Sequence, residues 1–334
     1  MSAVAGSGAL NRRKRVLLLG ATGTIGRATA VALLDRGHEV VCLVRPGRQA
    51  TRADALPPAI TVRTGNVTDP ESLSRDGIRG EEFDVLVSCL ASRTGAPEDA
   101  WAIDHRAHSE ALKTARRAGI AQMILLSAIC VQRPLLEFQK AKLAFEAELI
   151  ASGLTYSIVR PTAFFKSLSG QIERLRNGKP FLLFGNGDLT ACKPISDRDL
   201  ATFVAGCVDD QSRWNRILPV GGPGAAITPR EQGEELFRLM GRKPAFKRVP
   251  VGLMDAIIGG LDLAGRVSPR LKAKAELARI GRYYATESML VLDPETGRYD
   301  EEATPSFGSD TLFGFYERVV GQGLSIERGD HAVF

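Results

Sequence analysis

RVLLLGATGTIGRATA, Arg15 to Ala30, decides how the rest of the chain is read. Four apolar residues, Val16 to Leu19, run uninterrupted into GATGTIG, Gly20 to Gly26, and a helical pattern opens at once. A strand apolar on both faces belongs inside a covered parallel sheet. Glycines behind such a strand allow a tight turn and let backbone approach a pyrophosphate, which then rests on the amides and positive dipole of the helix N-terminus. Three glycines alone would say little, but strand, loop and helix in this order predict a dinucleotide site. Gly20, Thr22, Gly23, Thr24, Ile25 and Gly26 are the residues expected to line it.

Outward from this unit the same grammar repeats. TIGRATAVALLDRG is followed by EVVCLV, then DVLVSCLA, HSEALKTARRAG and QMILLSA, with later strands at TYSIV (Thr155 to Val159) and ILPV (Ile217 to Val220). Alternating strands and helices predict an α/β fold: a doubly wound parallel Rossmann sheet with a smaller C-terminal substrate lobe. The expected boundaries are a flexible N-terminus over 1–14 and a nucleotide-binding domain over 15–165, whose last sheet strands return around 190–222. The substrate lobe is expected from 166–189 and 223–334. Within it, ITPREQGEELFRLMG reads as a helix capped by Thr228, opened by Pro229 and ended by Gly241.

Composition narrows the function class. The 334 residues are 44% hydrophobic and 25% charged, ordinary for a globular protein. The net charge of +6 is spread along the chain, unlike a nucleic-acid footprint, and suits an anionic small ligand. Five cysteines, at 42, 89, 130, 192 and 207, form no C-x-x-C pair, which predicts reduced thiols and a cytoplasmic setting. Among four histidines only His105 and His108 are close, and both read as solvated helix residues, with no metal site. No apolar run approaches the ~20 residues that a spanning helix needs.

Cofactor choice is read after the second strand, where an acidic residue would hold a ribose 2′-hydroxyl. CLVRPGR offers Arg45 instead, with Arg48 behind it, and a guanidinium there pairs with a 2′-phosphate. NADPH is therefore expected over NADH. In GNVTD, Asn66 can donate and accept at a purine while Val67 offers backbone groups. In CLASRTG, Cys89, Leu90 and Ala91 border the expected groove, with Ser92 and Arg93 as further polar candidates.

The segment EFQKAK, Glu137 to Lys142, raises the chemical question. With the glycine loop, Ser127 at a strand end, Lys142 on the following helix and Arg160-Pro161-Thr162 after the next strand, the pattern resembles an extended or atypical short-chain dehydrogenase/reductase. In that superfamily the lysine bonds the nicotinamide ribose and lowers a tyrosine's pKa, the serine orients the substrate, and the proline turn contacts the carboxamide. Lys142 and Ser127 match as catalytic residues, and Pro161, Thr162 and Phe164 as cofactor contacts; Phe138 stands where the tyrosine would be.

A closer resemblance exists. RVLLLGATGTIGRATA, LLSAICVQRPLLEFQKAKLAFEAEL, YSIVRPTAFFKSLSGQ and GDHAVF together look like the NADPH-dependent 8-vinyl reductases of chlorophyll and bacteriochlorophyll synthesis. That resemblance implies reduction of the 8-vinyl group of a divinyl (proto)chlorophyllide to ethyl. It also implies a tetrapyrrole substrate against Phe138, Phe164, Phe165 and Lys166, with no nucleic-acid partner. Phe181 to Phe184 and Val251 to Leu263 are further candidates for an apolar slot, and Lys166, Lys193, Arg248 and Arg266 for meeting a propionate. The Val249 to Gly265 run is also a candidate for peripheral contact with photosynthetic membranes. Two other readings stay open: a non-catalytic NADPH-binding sensor or assembly factor, and a reductase of another conjugated alkene.

Overall fold

The structure, a computed structural model, describes residues 12–47, 55–266 and 268–323. Seven strands form one parallel sheet: β1 (Arg15–Leu19), β2 (Glu39–Val44), β3 (Thr61–Thr64), β4 (Val85–Ser88), β5 (Gln122–Leu126), β6 (Thr155–Pro161) and, after an intervening β7 (Phe181–Phe184) that lies outside this sheet, β8 (Arg216–Val220). Their spatial order is β3-β2-β1-β4-β5-β6-β8. Leu17 stands beside Val41 on one side and Leu86 on the other, so β1 is central. The chain winds outward from β1 to β3, then crosses back to β4. The order thus reverses between β1 and β4, the switch point outside whose strand ends open sheets of this kind form a ligand crevice.

The uninterrupted apolar runs follow from this architecture. Val16 and Leu18 face one core, with Ala30 and Leu33 of α1 (Thr24–Asp35). Leu17 and Leu19 face the other, with Ala111, Leu112 and Ala115 of α2 (His108–Arg117) and Phe145 and Leu149 of α3 (Glu137–Ala151). α4 (Asp197–Gly206) packs with α1, adding Leu200, Phe203 and Val204 to the first core.

A separate core joins two stretches on either side of β8. Phe165, Ile172, Leu175, Phe181 and Leu183 pack with Leu236 and Phe237 of α5 (Pro229–Leu239), and with later residues Leu312, Tyr316 and Val319. β7 pairs in parallel with β9 (Phe246–Val249). α5 starts as its sequence predicts: the Thr228 hydroxyl accepts from the Glu231 amide, the Glu231 carboxylate accepts from the Thr228 amide, and Gly241 follows the helix at φ +63°.

α6 (Val251–Gly265) lies against α7 (Pro269–Thr286), with Asp255 paired to Arg282 and Asp262 to Arg279. None of the residues of α6 is buried. No helix among the described residues is long and apolar enough to cross a membrane. The five cysteines are free thiols. Residues 1–11 of the expected flexible N-terminus, Arg48 and the terminal GDHAVF lie outside the described residues.

Candidate active site

The glycine loop is shaped by contacts that exclude side chains. Gly20 has φ +83°, and a Cβ there would stand 2.7 Å from the carbonyl carbon and oxygen of Cys89. A Cβ on Gly26 would come within 2.1 Å of the Gly20 oxygen. Gly23, by contrast, is exposed and its added Cβ would meet nothing closer than 3.4 Å, leaving bare backbone just before α1. No side chain caps that helix. Thr22 is partly buried in the loop, and Ile25 packs onto the sheet.

A cation guards this helix start. Lys166 Nζ donates to Thr24 Oγ1 at 3.2 Å, although the two are 142 residues apart. Sequence reasoning placed Lys166 with the substrate; the fold brings it to the loop where phosphate would sit. Asp197 lies in the same neighbourhood: burial raises its carboxyl pKa, opposed by Lys166 and Arg27. Unsatisfied amides, bare glycine backbone and two cations fit a pyrophosphate.

Along the crevice, Arg45 is exposed immediately after β2. Asn66 is exposed too, but its Oδ1 already accepts from the Thr68 amide (3.1 Å) and hydroxyl (2.8 Å), which leaves its amide nitrogen to face a ligand. Val67 is buried in the core, so it can contribute backbone alone. Cys89 contributes the backbone that presses on Gly20; burial pushes its thiol up to about 12. Leu90 packs on the core, Ala91 is exposed, and the Arg93 amide donates to Asp99 at 2.8 Å.

At the reactive end, α3 presents Phe138, Lys142 and Glu146 at successive spacings of four, hence along one face. Lys142 Nζ donates to Asp104 Oδ1 at 2.9 Å. Asp104 is fully buried, also accepts from the Ser92 amide at 3.2 Å, and its Oδ2 has no partner among the described residues. Ser127, just past β5, donates its hydroxyl to buried Glu146, which also accepts from Arg160 through Nε at 3.2 Å and through Nη2. Lys142 and Ser127 are each held by a carboxylate that sequence reasoning missed, and the Ser127 partner lies one turn along α3 from Lys142. Glu146 carried a signal, its i+4 spacing from Lys142; Asp104, 38 residues before Lys142, carried none.

Other expectations are corrected by packing. Phe165 is 5% exposed in the separate core described above, with Phe315 at 5.6 Å between rings, so it is no free pocket wall. Phe181 and Leu183 share that core. Lys193 is buried with Nζ on the Thr304 carbonyl at 3.1 Å, and Thr162 turns its hydroxyl to the Lys193 carbonyl, so neither side chain is free to meet a ligand. Pro161 is buried, Phe164 bridges Ile195, and Arg248 and Arg266 are exposed. Phe138 is partly buried against the apolar group of Ile129, Leu136 and Ile280.

His108 is not solvated, and His105 is only partly so. His105 pairs with Glu148 at 2.7 Å. His108 is 1% exposed: its Nδ1 lies 2.8 Å from the Ile103 carbonyl and its Nε2 2.8 Å from Ser88 Oγ. Burial first, then the Lys142 charge, pushes its pKa down to about 4, so it is neutral at pH 7.

Two outcomes follow from this geometry. Gly26→Ala should abolish detectable NADPH binding in a fluorescence titration and lower the urea midpoint, because its Cβ meets a backbone oxygen. His108 should make folding acid-sensitive: the unfolded chain takes its proton near 6.5, the folded one near 4. Stability is then unaffected by this group above pH 6.5 and falls by about 3 kcal/mol as pH drops to 4. Urea unfolding across that window should show a shallower loss in His108→Gln.

Known proteins resemble this chain at both levels. Residues 20–211 match the NAD(P)H-binding domain family. The chain is 51% identical to the chloroplastic divinyl chlorophyllide a 8-vinyl-reductase of Oryza sativa subsp. indica, over 96% of this chain and 82% of that protein. It is 27% identical to the photosystem II assembly factor Ycf39 of Synechocystis sp., over 72% of each. Among solved structures, an NADPH-dependent quinone oxidoreductase of Escherichia coli in complex with NADPH superposes with a TM-score of 0.67 at 17% identity, covering 91% of this chain and 99% of that one, which shows the shared fold. With a binding loop of the required shape and half its residues identical to a reductase along nearly its whole length, the chain belongs to the divinyl chlorophyllide a 8-vinyl-reductase family.

Proposed function

We propose that this protein reduces the 8-vinyl group of divinyl chlorophyllide a or divinyl protochlorophyllide a to ethyl, using NADPH. The observation that carries the reading is the face of α3, which keeps Lys142 in a buried ion pair but presents Phe138 where a carbonyl reductase needs a phenol. Carbonyl reduction develops an alkoxide that a nearby acid must protonate. Phenylalanine has no proton to give. Reduction of a conjugated vinyl group instead develops charge that the macrocycle delocalises, and the demanding part becomes positioning.

NADPH bound in the crevice would supply the hydride. Gly20 to Gly26, Lys166 and Arg27 would hold its pyrophosphate, Arg45 its 2′-phosphate, and Lys142 its nicotinamide ribose, with Asp104 keeping the ammonium in place. Residues 15–165, with the strand that returns in 190–222, form the NADPH-binding unit, and 166–189 with 223–334 the substrate lobe. The separate core shared by those two stretches, which Phe165 at the boundary also joins, supports this division. Phe138 and Phe164 offer apolar surface toward a flat pigment.

The outer face of α6 supports a contact with an anionic membrane surface. Leu253, Ile257 and Leu263 are 52%, 49% and 66% exposed, while Asp255 and Asp262 turn to arginines on α7. Lys247, Arg248, Arg266, Lys272 and Lys274 are exposed nearby. In vesicle flotation, the protein should rise with anionic vesicles, and Leu253→Asp with Ile257→Asp should leave it at the bottom.

Purified protein given NADPH and divinyl chlorophyllide should yield the monovinyl pigment, resolved by absorption and retention time. No product under any redox condition overturns the reading in favour of a non-catalytic NADPH-binding protein; turnover of a different conjugated alkene alone would favour a related reductase. Phe138→Tyr should leave activity level or lower it, and a large gain would show that a phenol on α3 had been limiting.

A further inference from the structure

The phenol missing from α3 has a counterpart on another helix. A Cβ on Gly95 would stand 2.9 Å from Ile280 Cδ1 and 3.6 Å from Phe138 Cδ1, so α7 meets the head of α3 there. One turn beyond Ile280, on the same face of α7, stands Tyr284. It packs on the same apolar group as Phe138, Ala163 and Leu168, and its hydroxyl reaches Cys130 Sγ at 3.9 Å. Cys130 lies three residues past Ser127, within the field of Lys142.

The neighbouring tyrosine differs. Tyr283 is 3% exposed and donates to the Cys130 carbonyl at 2.9 Å, a bond that ties α7 to the turn after β5. Tyr284 is partly buried, and a thiol is a weak acceptor that a stronger one displaces. Tyr284 thus has partial exposure and a displaceable partner, which Tyr283 lacks.

We propose that Tyr284 is the proton donor of the vinyl reduction, a phenol supplied by α7 from the apolar group that Phe138 also joins. The assignment rests on the reading of the chain as a vinyl reductase. In the step, the terminal vinyl carbon gains a hydride as a new C–H bond, and the π pair moves onto the inner carbon and into the macrocycle. The Tyr284 O–H bond breaks and its proton forms the second C–H bond. The phenolate then takes a proton from water. The sum is one C=C, one NADPH and one proton converted to one CH–CH and one NADP⁺.

Burial holds the phenol well above its ordinary range, and the titratable groups facing it, Cys130 and Tyr283, are held protonated in the same way. The donor thus stays charged with its proton throughout the neutral range, and the rate should be flat there.

Tyr284→Phe should lower kcat by about 100-fold or more while KM for the pigment and the Kd for NADPH stay unchanged. A variant with wild-type kcat overturns the assignment. Tyr284→3,5-difluorotyrosine keeps the size of the side chain but makes the phenol a stronger acid. Its kcat and solvent isotope effect should differ from wild type at unchanged KM, and its fluorine resonances should shift when monovinyl pigment and NADP⁺ are added. Unchanged kcat and isotope effect, or unmoved resonances, overturn the assignment even where the phenylalanine variant fails to fold. A wild-type protein that forms no monovinyl product sinks the function itself; an active wild type with an unimpaired Tyr284→Phe sinks Tyr284 alone.

Discussion

The absence of side chains at Gly20 and Gly26 governs how the site can exist at all. β1 and β4 stay paired to their ends, with Leu19 opposite Ser88 and the Cys89 amide on the Leu19 carbonyl at 2.9 Å. From there the two chains must diverge, and they do so with the Gly20 backbone pressed on that of Cys89 at φ +83°, a conformation that side chains rarely adopt. Gly26 lets α1 close down on the loop that precedes it. The helix N-terminus therefore points back toward the strand ends, and the site residues on the sheet and its flanking helices are positioned around this contact.

The reactive end follows a different principle. Asp104 and Glu146 are carboxylates 0% and 2% exposed, and burying such groups costs several kcal/mol unless each is paired and hydrogen-bonded. Asp104 has Lys142 and the Ser92 amide; Glu146 has Arg160 and Ser127. Removing either cation would strand a buried charge, so the pairs fix the positions of Lys142 and Ser127 more firmly than solvated side chains could. Phe138, at the head of the same helical face, needs no such partner. The site is polar and rigid at its base and apolar at its mouth.

Much of this was legible in the sequence because it depends on local patterns. The apolar run of Val16 to Leu19 gave the covered strand, the glycines gave the loop, Thr228 and Gly241 marked a helix at both ends, and the spacing of Phe138 from Lys142 exposed the missing phenol. Contacts between distant segments were not legible. Lys166 reaches Thr24 across 142 residues, and nothing in a lysine's immediate neighbours announces a phosphate loop. Phe165 and Lys193 read as candidates for ligand contact because an aromatic or a cation looks the same whether it faces a pocket or a core. His108 read as solvated because its helix is amphipathic, yet it falls on the face that meets Ser88 and Phe145.

An alkene reductase has to deliver two hydrogens to adjacent carbons by different routes, and this fold separates the machinery for each. The crevice, the glycine loop and Lys142 all belong to the sheet and its helices, which are fixed by the requirements of a dinucleotide. Tyr284 comes from α7, which packs on the turn after β5 and the head of α3 from outside the sheet. If a phenol on α3 served both cofactor and substrate, its geometry would be tied to the lysine beside it, as carbonyl chemistry requires. Moving the proton source to a helix outside the sheet frees it to follow the shape of a large flat substrate while the hydride side stays unchanged. Phe138 then has a purpose of its own: it fills the vacated place with apolar surface, where a second hydroxyl would compete with the macrocycle for water and partners.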